Sequence, residues 1–448
     1  MNILFAKKGK FLVCGLLLTT LCSSPVSAQS ATGGTKMELT LDKAIEVALA
    51  ENPTMKVADK EIQLKKVADK EAWQALLPSV DGSIGLSHSI KVAEIRTSMG
   101  SFKMGMDGST TAQAGATVTL PLFAPAAYQN MKLTKEDILV AQEKARGSKL
   151  DLINQVTKAY YGALMSKESY EVIQKAYKVT KDNFELVDNM YKVGRVSEYD
   201  KISAEVQMRN MNSSVVSAET GVRLSLLQLK VLMGVTADVD LVINDNLKAY
   251  ENQLVVPSAI YADQVENNTN LRQMDLNMTL LQRSRKLLKT NFMPTVAMQL
   301  TGQYQSMSNP NWNVFQYHYS PSVSLALAVS VPIYKASNFT RLQSNKIQMD
   351  QLVDTRENVR RQLNMAATSY RENMVSTVAK IASNREAVTQ ADKAVAISAK
   401  RYDVGRGTIL ELNQSETALT QAELTYAQSI YEYLTNRADL EYTLGKDK

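Results

Sequence analysis

The stretch YKVGR at residues 191–195 recurs as YDVGR at residues 402–406, and the two copies are 211 residues apart. Two further pairs keep this spacing: Pro121 with Pro332, and Gly234 with Gly445. A constant spacing excludes an insertion or deletion between these marks, so the chain contains two copies of one unit. An internal duplication of this length indicates a unit that is used repeatedly around an axis.

The N-terminal segment 1–28 has the features of a secretory signal peptide. Its start carries three lysines, residues 11–21 are apolar but too short to cross a bilayer as a helix, and Val26-Ser-Ala28 is a small-residue cleavage box. Both cysteines lie in this segment, so disulfides and thiolate chemistry are excluded from the mature chain. We expect the chain to be exported.

The remaining composition excludes further classes. The formal net charge of +6 falls to +3 when the three lysines of the signal are removed, so nucleic acid is not an expected partner. No later run of about 20 apolar residues is present, so no transmembrane helix is expected.

Each copy carries two stretches in which apolar and polar residues alternate. They cover about residues 79–92 and 111–121 in the first copy, and 295–305 and 321–332 in the second. The polar rows are mostly Ser, Thr and Gln, which suits a wet lumen, and the apolar rows suit lipid. A half-buried strand of a soluble sheet would alternate in the same way. Export without a helical anchor favours the membrane interpretation.

Four strands cannot close a barrel, and lipid tolerates no open strand edge. Several chains would therefore share one barrel, and two, three or four copies all give an even strand number. Residues 93–110 and 305–320 are predicted to be surface loops between hairpin strands. Aromatic residues at both strand ends resemble the girdles of membrane barrels. They are Phe123, Trp312, Phe315, Tyr317, Tyr319 and Tyr334.

Outside these strands, apolar and small residues recur at alternating spacings of three and four, which is the coiled-coil period. The predicted long helices are 124–193 and 335–404, and the shorter ones are 54–77, 197–233, 270–292 and 408–444. Their lengths allow two short helices, end to end, to lie beside each long helix. Seams rich in small and polar residues suit a wide helical tube better than an isolated two-stranded coil.

The predicted domain organisation follows from the duplication. The first repeat covers residues 29–234 and the second covers 259–448, with an equatorial linker at 235–258. This linker and residues 29–53 lack the heptad pattern, and we expect them to form a collar midway along the tube. The fold class is therefore mainly α, with a small membrane β part.

The sequence offers little chemistry for an enzyme. His88 and His318 both fall in the strand and loop region, and no His, Glu or Cys cluster has the spacing of a metal site. No GxSxG, phosphate-binding loop or GxGxxG is present. We expect no enzyme activity and no cofactor.

Taken together, these features resemble the TolC family of outer-membrane efflux channels. The marks are LTLDKAIEVALAENP at 39–53, the strand entries LLPSVDGS and NFMPTVAMQ, the tips YKVGRVSEYD and YDVGRGTILELNQSETAL, and the duplication. The resemblance implies a homotrimer with a 12-stranded β-barrel and a 12-helix periplasmic α-barrel. It also implies the passive outer-membrane exit duct of a tripartite efflux pump or type I secretion system, with a periplasmic adaptor and an inner-membrane pump as partners.

The resemblance also implies roles for individual residues. The adaptor-docking tips would be Gly194, Arg195, Ser197, Gly405, Arg406 and Thr408. Asp200 and Tyr402 match a pair that bridges neighbouring coils in the closed state. The arginine that joins this bridge falls at Gly407, and the neighbouring Arg406 is the candidate to replace it. Glu411 and Gln414 match two positions with acidic rings at the pore constriction, and only Glu411 keeps the charge.

Two other classes of protein are alternatives. A secreted coiled-coil structural protein or surface adhesin would explain the heptads but not the paired strands between them. A soluble periplasmic adaptor would need one helical hairpin and compact β-domains, whereas this chain has two hairpins and a duplication. The sequence does not identify the cargo.

Overall fold

A computed structural model describes residues 36–446 except 99, 104, 237 and 258–261, so the predicted signal peptide at 1–28 lies outside the described residues. The α-helices are α1 Leu41–Glu51, α2 Pro53–Gln74, α3 Pro125–Lys192, α4 Glu198–Met233, α5 Thr269–Thr290, α6 Ala336–Asp403 and α7 Ile409–Thr443. The strands are β1 Lys36–Glu38, β2 Ser79–Ser89, β3 Glu94–Thr97, β4 Gly100–Lys103, β5 Ser109–Phe123, β6 Asp240–Val242, β7 Thr295–Asn309 and β8 Ser320–Ser330.

Two helices of 68 residues, α3 and α6, run the length of the helical part, which corresponds to about 100 Å each. Near the sheet, α3 contacts α2 and α5, and α5 contacts α6. Beyond this region α3 contacts α4 and α7, and α7 contacts α6. The neighbours are therefore α2–α3–α5–α6 at one end and α4–α3–α7–α6 at the other. Two short helices lie beside each long one.

Heptad spacing explains which side chains these helices bury. Buried positions seven residues apart are Val156 with Ala163, Thr180 with Val187, and Ala367 with Met374 and Ile381. The helix bounds lie within three residues of the predicted ones. The largest differences are at the ends of α2 and α5, which stop at Gln74 and Thr290. Pro78 and Pro294 follow closely, and a proline disfavours helical geometry in the residue before it.

The main sheet is antiparallel throughout, in the order β2-β5-β7-β8. The central strands are longer than the alternation predicts, because β5 and β7 pair with neighbours on both sides and extend to 15 residues each. The edge strands are shorter: β2 ends at Ser89 rather than at 92, and β8 ends at Ser330 because Pro332 cannot donate to a ladder. Both outer edges, β2 and β8, lack a partner within the described chain.

No protein layer covers the apolar row of this sheet in the described chain. Every residue of β8 is exposed. The apolar side chains Val323, Leu325, Leu327 and Val329 are 77%, 70%, 65% and 59% exposed. A row of this kind in a soluble sheet would face a core, so its exposure requires an apolar environment outside this chain.

The loop prediction for residues 93–110 is partly wrong, because this segment contains the short hairpin β3–β4. Strands of four residues are too short for alternation to reveal. The first part of the second predicted loop, 305–320, belongs to β7, which extends to Asn309. At this end His88 stacks on Trp312 with ring centroids 4.6 Å apart. Tyr317 is only 8% exposed, so it packs within the loop instead of forming part of an exposed girdle.

The collar consists of residues 36–52, 235–236, 238–257 and 262–268, and it packs against the middle of the helices. In it β1 pairs with β6 in parallel. The hydroxyl of Tyr160 on α3 donates to Asp245, and Lys167 Nζ donates to the Ile243 carbonyl at 2.8 Å. The collar extends beyond the predicted linker 235–258. Leu39, Leu247 and Val265 are buried in the largest apolar core together with residues of the long helices.

Candidate functional site

The tips of the two helical hairpins form the candidate functional site. They lie at the end of the folded molecule that is far from the sheet. The α3–α4 connection and the α6–α7 connection line one cleft of about 470 Å³. Five of the six predicted docking residues line it: Gly194, Arg195, Ser197, Gly405 and Thr408. Asp200 and Tyr402 line it as well. The structure therefore brings the predicted docking residues and the predicted closed-state pair together in one cleft.

The first tip is built by local capping. Gly194 has a φ of 72°, a left-handed conformation that glycine adopts without strain, and its N–H donates to the Tyr191 carbonyl at 2.9 Å. Ser197 then caps α4: the Asp200 N–H donates to Ser197 Oγ at 3.2 Å, and the Ser197 N–H donates to Asp200 Oδ2 at 3.1 Å. This reciprocal capping box fixes the turn rigidly.

The second tip repeats the geometry with one difference. Gly405 has a φ of 71°, and the Glu411 N–H donates to Thr408 Oγ1 at 3.2 Å. Here Glu411, at the third helical position, does not complete a capping box with Thr408. Glu411 instead pairs with Arg401 at 3.5 Å.

An apolar cluster joins the two hairpins just above the tips. Val187, Ala204, Ile409 and Leu412 are nearly fully buried in it. Phe184, Val196, Ala399 and Tyr402 pack against its rim. The two hairpins of one chain are therefore held together by the burial of these side chains.

Asp200 and Tyr402 face the same cleft but do not bond. The Asp200 carboxylate is engaged in the capping box. The hydroxyl of Tyr402 is buried without a hydrogen-bond partner among the described residues. Burial, followed by the charges of Asp200 and Asp403, raises the pKa of Tyr402. An unsatisfied buried hydroxyl costs free energy, so this donor is available for a partner.

The site contains an arginine that the sequence reasoning missed. Gly407 stands where the resemblance implies an arginine, and a Cβ at this glycine would lie 3.1 Å from the Cβ of Arg401. Arg401 pairs with Glu411 and donates to the Arg406 carbonyl at 3.4 Å. The guanidinium that pairs with Glu411 at this tip therefore comes from Arg401 on α6. In the sequence Arg401 directly precedes Tyr402, and this position is the signal that could have identified it.

The predicted pore residue Gln414 lies on the side of the helices opposite the collar. It lines a groove of about 720 Å³ between α4 and α7, whose polar members are uncharged amides and hydroxyls. Further up, Asn154, Lys158 and Ser166 line a similar groove on the same side of α3, whereas Tyr160 and Lys167 face the collar. A collar on the outside of a tube leaves this polar side for the lumen.

A buried carboxylate lies two turns above the second tip. Glu416 on α7 is 7% exposed and accepts a hydrogen bond from the Asn183 side chain on α3, while its other oxygen has no partner in the described part of the chain. Burial raises the pKa of Glu416 to about 7, against the smaller opposing effect of Asn183. Its spacing of four and seven residues from Leu412 and Ile409 places it in the helical seam, which is the signal that could have identified it.

Ion pairs at the surface connect the helices of the first hairpin. Asp188 on α3 accepts from Lys192 at 2.6 Å and from Lys201 on α4 at 2.8 Å. These hydrogen bonds lower the pKa of Asp188. Lys201 also lies over the Tyr191 ring at 5.1 Å. The pairs lie at the surface and are partly open to solvent, so each contributes little alone.

Within residues 36–446, apart from the few undescribed positions, no group of three His, Cys, Asp or Glu side chains could hold a metal ion. None of the helices described is both long and apolar enough to cross a bilayer. The arrangement is instead a four-stranded sheet with open edges, continued by a curtain of helices with a polar face. This fold places the protein in a class of chains that have an open-edged sheet with an exposed apolar row and a long helical extension.

The comparisons with known proteins agree with this class. Residues 44–235 and 260–446 match the model of the outer membrane efflux protein family, so the chain belongs to that family, in two segments that correspond to the two repeats. The alkaline protease secretion protein AprF of Pseudomonas aeruginosa is 22% identical over 407 residues, covering 89% of this chain and 83% of AprF. The outer membrane protein TolC of Escherichia coli is 21% identical, covering 90% and 82%.

Solved structures support the same fold. CusC superposes with a TM-score of 0.73 at 14% identity and covers 91% of this chain and 92% of its own. The Campylobacter jejuni CmeC outer membrane channel gives 0.70 at 16% identity, covering 90% and 85%. The protein is thus a TolC-family outer-membrane channel, a non-enzymatic exit duct with a periplasmic helical extension. The adhesin and adaptor alternatives are set aside by this membership.

Proposed function

We propose that three copies of this chain form one continuous duct and that an adaptor of an inner-membrane pump docks on its tips. The observation that carries the proposal is the four-stranded sheet with exposed apolar residues and two free edges. The edge strands β2 and β8 run in opposite directions, so β8 of one copy can pair antiparallel with β2 of the next. Three copies then close a barrel of twelve strands.

The helices favour the same ring. Large exposed apolar residues are dense on α2 and α4, which form one edge of the helical curtain, and six lie on α6 at the other edge. Of the inner helices, α3 carries five, α7 only Leu410 and α5 none among its described residues. Examples are Val67 on α2, Leu224 on α4 and Met365 on α6, at 59%, 61% and 70% exposed. Burying these rows against a neighbour's opposite edge is a head-to-tail contact that closes as a ring.

Native mass spectrometry of the detergent-purified protein tests the copy number. We expect a mass of three chains, and dissociation to single chains on unfolding. A monodisperse single chain, stable without detergent, would contradict the proposal. Oligomers of two or four copies would retain the shared barrel but reject the trimer.

We propose that the tips recognise the adaptor, because they expose capped, rigid turns at the end farthest from the membrane. Ser197→Cys provides a single thiol at a tip in a mature chain that has no other cysteine. Crosslinking in cells should capture an adaptor at this position. Ser320→Cys, at the opposite end of the sheet, is the matched control and should not capture it. Equal capture at both positions would contradict docking at the tips.

We propose that Asp200 and Tyr402 hold the tube shut in the assembled protein. In support, the two side chains share a cleft and the buried Tyr402 hydroxyl lacks a partner there. Tyr402→Phe combined with Asp200→Ala should raise single-channel conductance. Because Asp200 also belongs to the capping box, Ser197→Ala serves as the control that weakens the cap and keeps both bridging groups. Conductance unchanged in the double variant would refute the latch.

We propose that Glu411 contributes an acidic ring at the narrowest aperture. Charged rings favour ions of opposite sign, and Gln414 adds no charge to it. The pairing with Arg401 reduces the field of this ring. Glu411→Gln should lower the permeability of cations relative to anions in planar bilayers. An unchanged ratio would reject the role of Glu411.

A further inference from the structure

The helix segments next to the main sheet are strongly basic. Residues 65–74, 125–137, 281–290 and 335–346 contain twelve Lys or Arg and four Asp or Glu, a net charge of +8. The basic residues are Lys65, Lys66, Lys70, Lys132, Lys135, Arg283, Arg285, Lys286, Lys289, Lys335, Arg341 and Lys346. The chain without its first 28 residues carries only +3, so positive charge is concentrated here and the remainder is net negative.

Nine of these residues are exposed and form no ion pair within the described part of the chain: Lys66, Lys70, Lys132, Lys135, Lys286, Lys289, Lys335, Arg341 and Lys346. Three of the nine, Lys66 on α2 and Lys286 and Lys289 on α5, lie on the collar side of their helices. By contrast Arg283 is paired with Glu136 at 3.1 Å. We call Lys66, Lys286 and Lys289 the basic belt.

On α2, the basic belt faces the collar side of the helix. Met55 packs against the apolar core that the collar shares with the long helices. Lys66 and Trp73 follow it by eleven and eighteen residues, which is about three and five whole turns. Both therefore lie on the face that Met55 defines.

On α5, Asp275 pairs with Arg356, and Arg356 also pairs with Glu266 in the collar. Lys286 follows Asp275 by eleven residues and Lys289 by fourteen, so both share its face. Since a collar within the tube would fill the lumen, this face points outward.

Aromatic residues separate the basic belt from the strands. Phe292 and Phe339 are in contact, with ring centroids 5.1 Å apart, and Tyr334 lies 6.4 Å from Phe339. Tyr334 is 79% exposed and Ile333 is 95% exposed. Exposed aromatics between an apolar band and a row of lysines are typical of the level of lipid headgroups.

We propose that the basic belt binds the anionic phosphate groups of glycerophospholipids in the periplasmic leaflet of the outer membrane. Lys286 and Lys289 lie within three helical turns of the start of β7, and Lys66 lies within three turns of the end of α2, so all three are within reach of headgroups beside the sheet. Attraction of lysine to anionic lipid at this depth supplies specificity for lipid charge. The proposal depends on the outer-membrane location of the channel and is independent of its cargo, adaptor and gate.

The chain carries a suitable probe in Trp73, which is 52% exposed and lies on the same face of α2 as Lys66. The only other tryptophan, Trp312, is at the far end of the sheet, and Trp312→Phe removes it. The assembled protein is reconstituted in zwitterionic bilayers with increasing fractions of brominated phosphatidylglycerol or brominated phosphatidylcholine. Quenching of Trp73 then reports which lipid occupies the belt.

Brominated phosphatidylglycerol should quench at a lower mole fraction, with a preference of roughly fivefold or more over phosphatidylcholine. High salt should reduce this preference. Lys66→Gln with Lys286→Gln and Lys289→Gln should abolish it. The control, Lys178→Gln with Lys380→Gln and Lys393→Gln, removes equal charge from exposed, unpaired sites beyond the collar and should retain it. Equal quenching by both lipids in the protein with an intact belt would overturn the proposal, as would loss of preference in the control.

Discussion

Raising the pH through the neutral range should loosen the contact between the two hairpins near their tips, because Glu416 must ionise there. Its pKa is raised from 4.5 to about 7 by burial between α7 and α3. At about 1.4 kcal/mol per unit, this shift corresponds to about 3 kcal/mol. Below pH 4.5 the carboxyl is neutral whether the contact is open or closed, and no penalty arises.

The sign follows from proton uptake. Between pH 4.5 and 7 the open form is ionised and the closed form is protonated, so closing requires a proton and becomes less favourable as the pH rises. Above pH 7 both forms are ionised and the full penalty of about 3 kcal/mol persists. No ion pair with Glu416 forms within the described residues, and Asn183 is the polar group that faces it from α3. The residues next to Glu416 on α7 bring only uncharged groups from the other neighbouring helices. The Ser415 hydroxyl bonds the Ser398 hydroxyl of α6, and the Thr417 hydroxyl accepts from the Gln207 side chain of α4.

Glu416→Gln keeps the size and the hydrogen-bonding capacity of the side chain and removes the charge. Amide hydrogen exchange of the hairpin tips should be slower in this variant at pH 8 by up to roughly a hundredfold. The difference should vanish near pH 4.5. Comparison of variant and unsubstituted protein at the same pH cancels the intrinsic pH dependence of exchange.

Glu185→Gln on α3 is the matched control, since Glu185 is exposed and its replacement should leave the ratio of exchange rates independent of pH. The reasoning is refuted if Glu416→Gln exchanges like the unsubstituted protein at pH 8. It is also refuted if the protection is the same at pH 5 and pH 8, because a pure packing effect would not titrate.

Three further predictions concern the collar, the sheet and the aperture. Gly445→Ala should destabilise the protein by at least about 1 kcal/mol in thermal unfolding. The φ of Gly445 is 62°, and a Cβ at this position would lie 2.4 Å from the Asn267 carbonyl oxygen. The control is Gly221→Ala, which lies in open space within α4 and should not destabilise the protein. Gly115→Val should prevent oligomers resistant to SDS, because a Cβ would lie 2.7 Å from the Gly302 carbonyl oxygen, whereas Gly82→Val, with nothing within 4 Å, should allow them. Arg401→Gln should increase cation over anion permeability, measured by reversal potential, because it frees Glu411 from its partner; a lower ratio would contradict this.

The parts of the fold that the sequence predicts are those with a repeated local signal. Gly194 and Gly405, at equal positions in the two copies, have φ values of 72° and 71°, and Gly234 and Gly445 have 69° and 62°. Equal spacing thus corresponds to equal backbone geometry. The heptads and the two-residue alternation similarly locate the long helices and the four main strands, because each pattern extends over many residues.

The parts that sequence reasoning missed depend on contacts between distant segments. The collar is held by pairs such as Tyr160 with Asp245 and Tyr433 with the Val255 carbonyl, which no local pattern reveals. At the tips, the resemblance directs attention to Gly407, but the arginine that pairs with Glu411 comes from position 401 on another helix. The environment of Glu416 likewise arises only when α3 and α7 pack together.

The interruption of the short helices at the collar has a mechanical consequence. On one side of α3, α2 begins at Pro53 and α4 ends at Met233, and the two ends meet where the Asn52 side chain donates to the Leu232 carbonyl at 2.7 Å. Torque applied at the tips therefore crosses the level of the collar through the two uninterrupted 68-residue helices. Their shorter companions end there, so only α3 and α6 connect the tip side of the molecule to the sheet side by continuous helix.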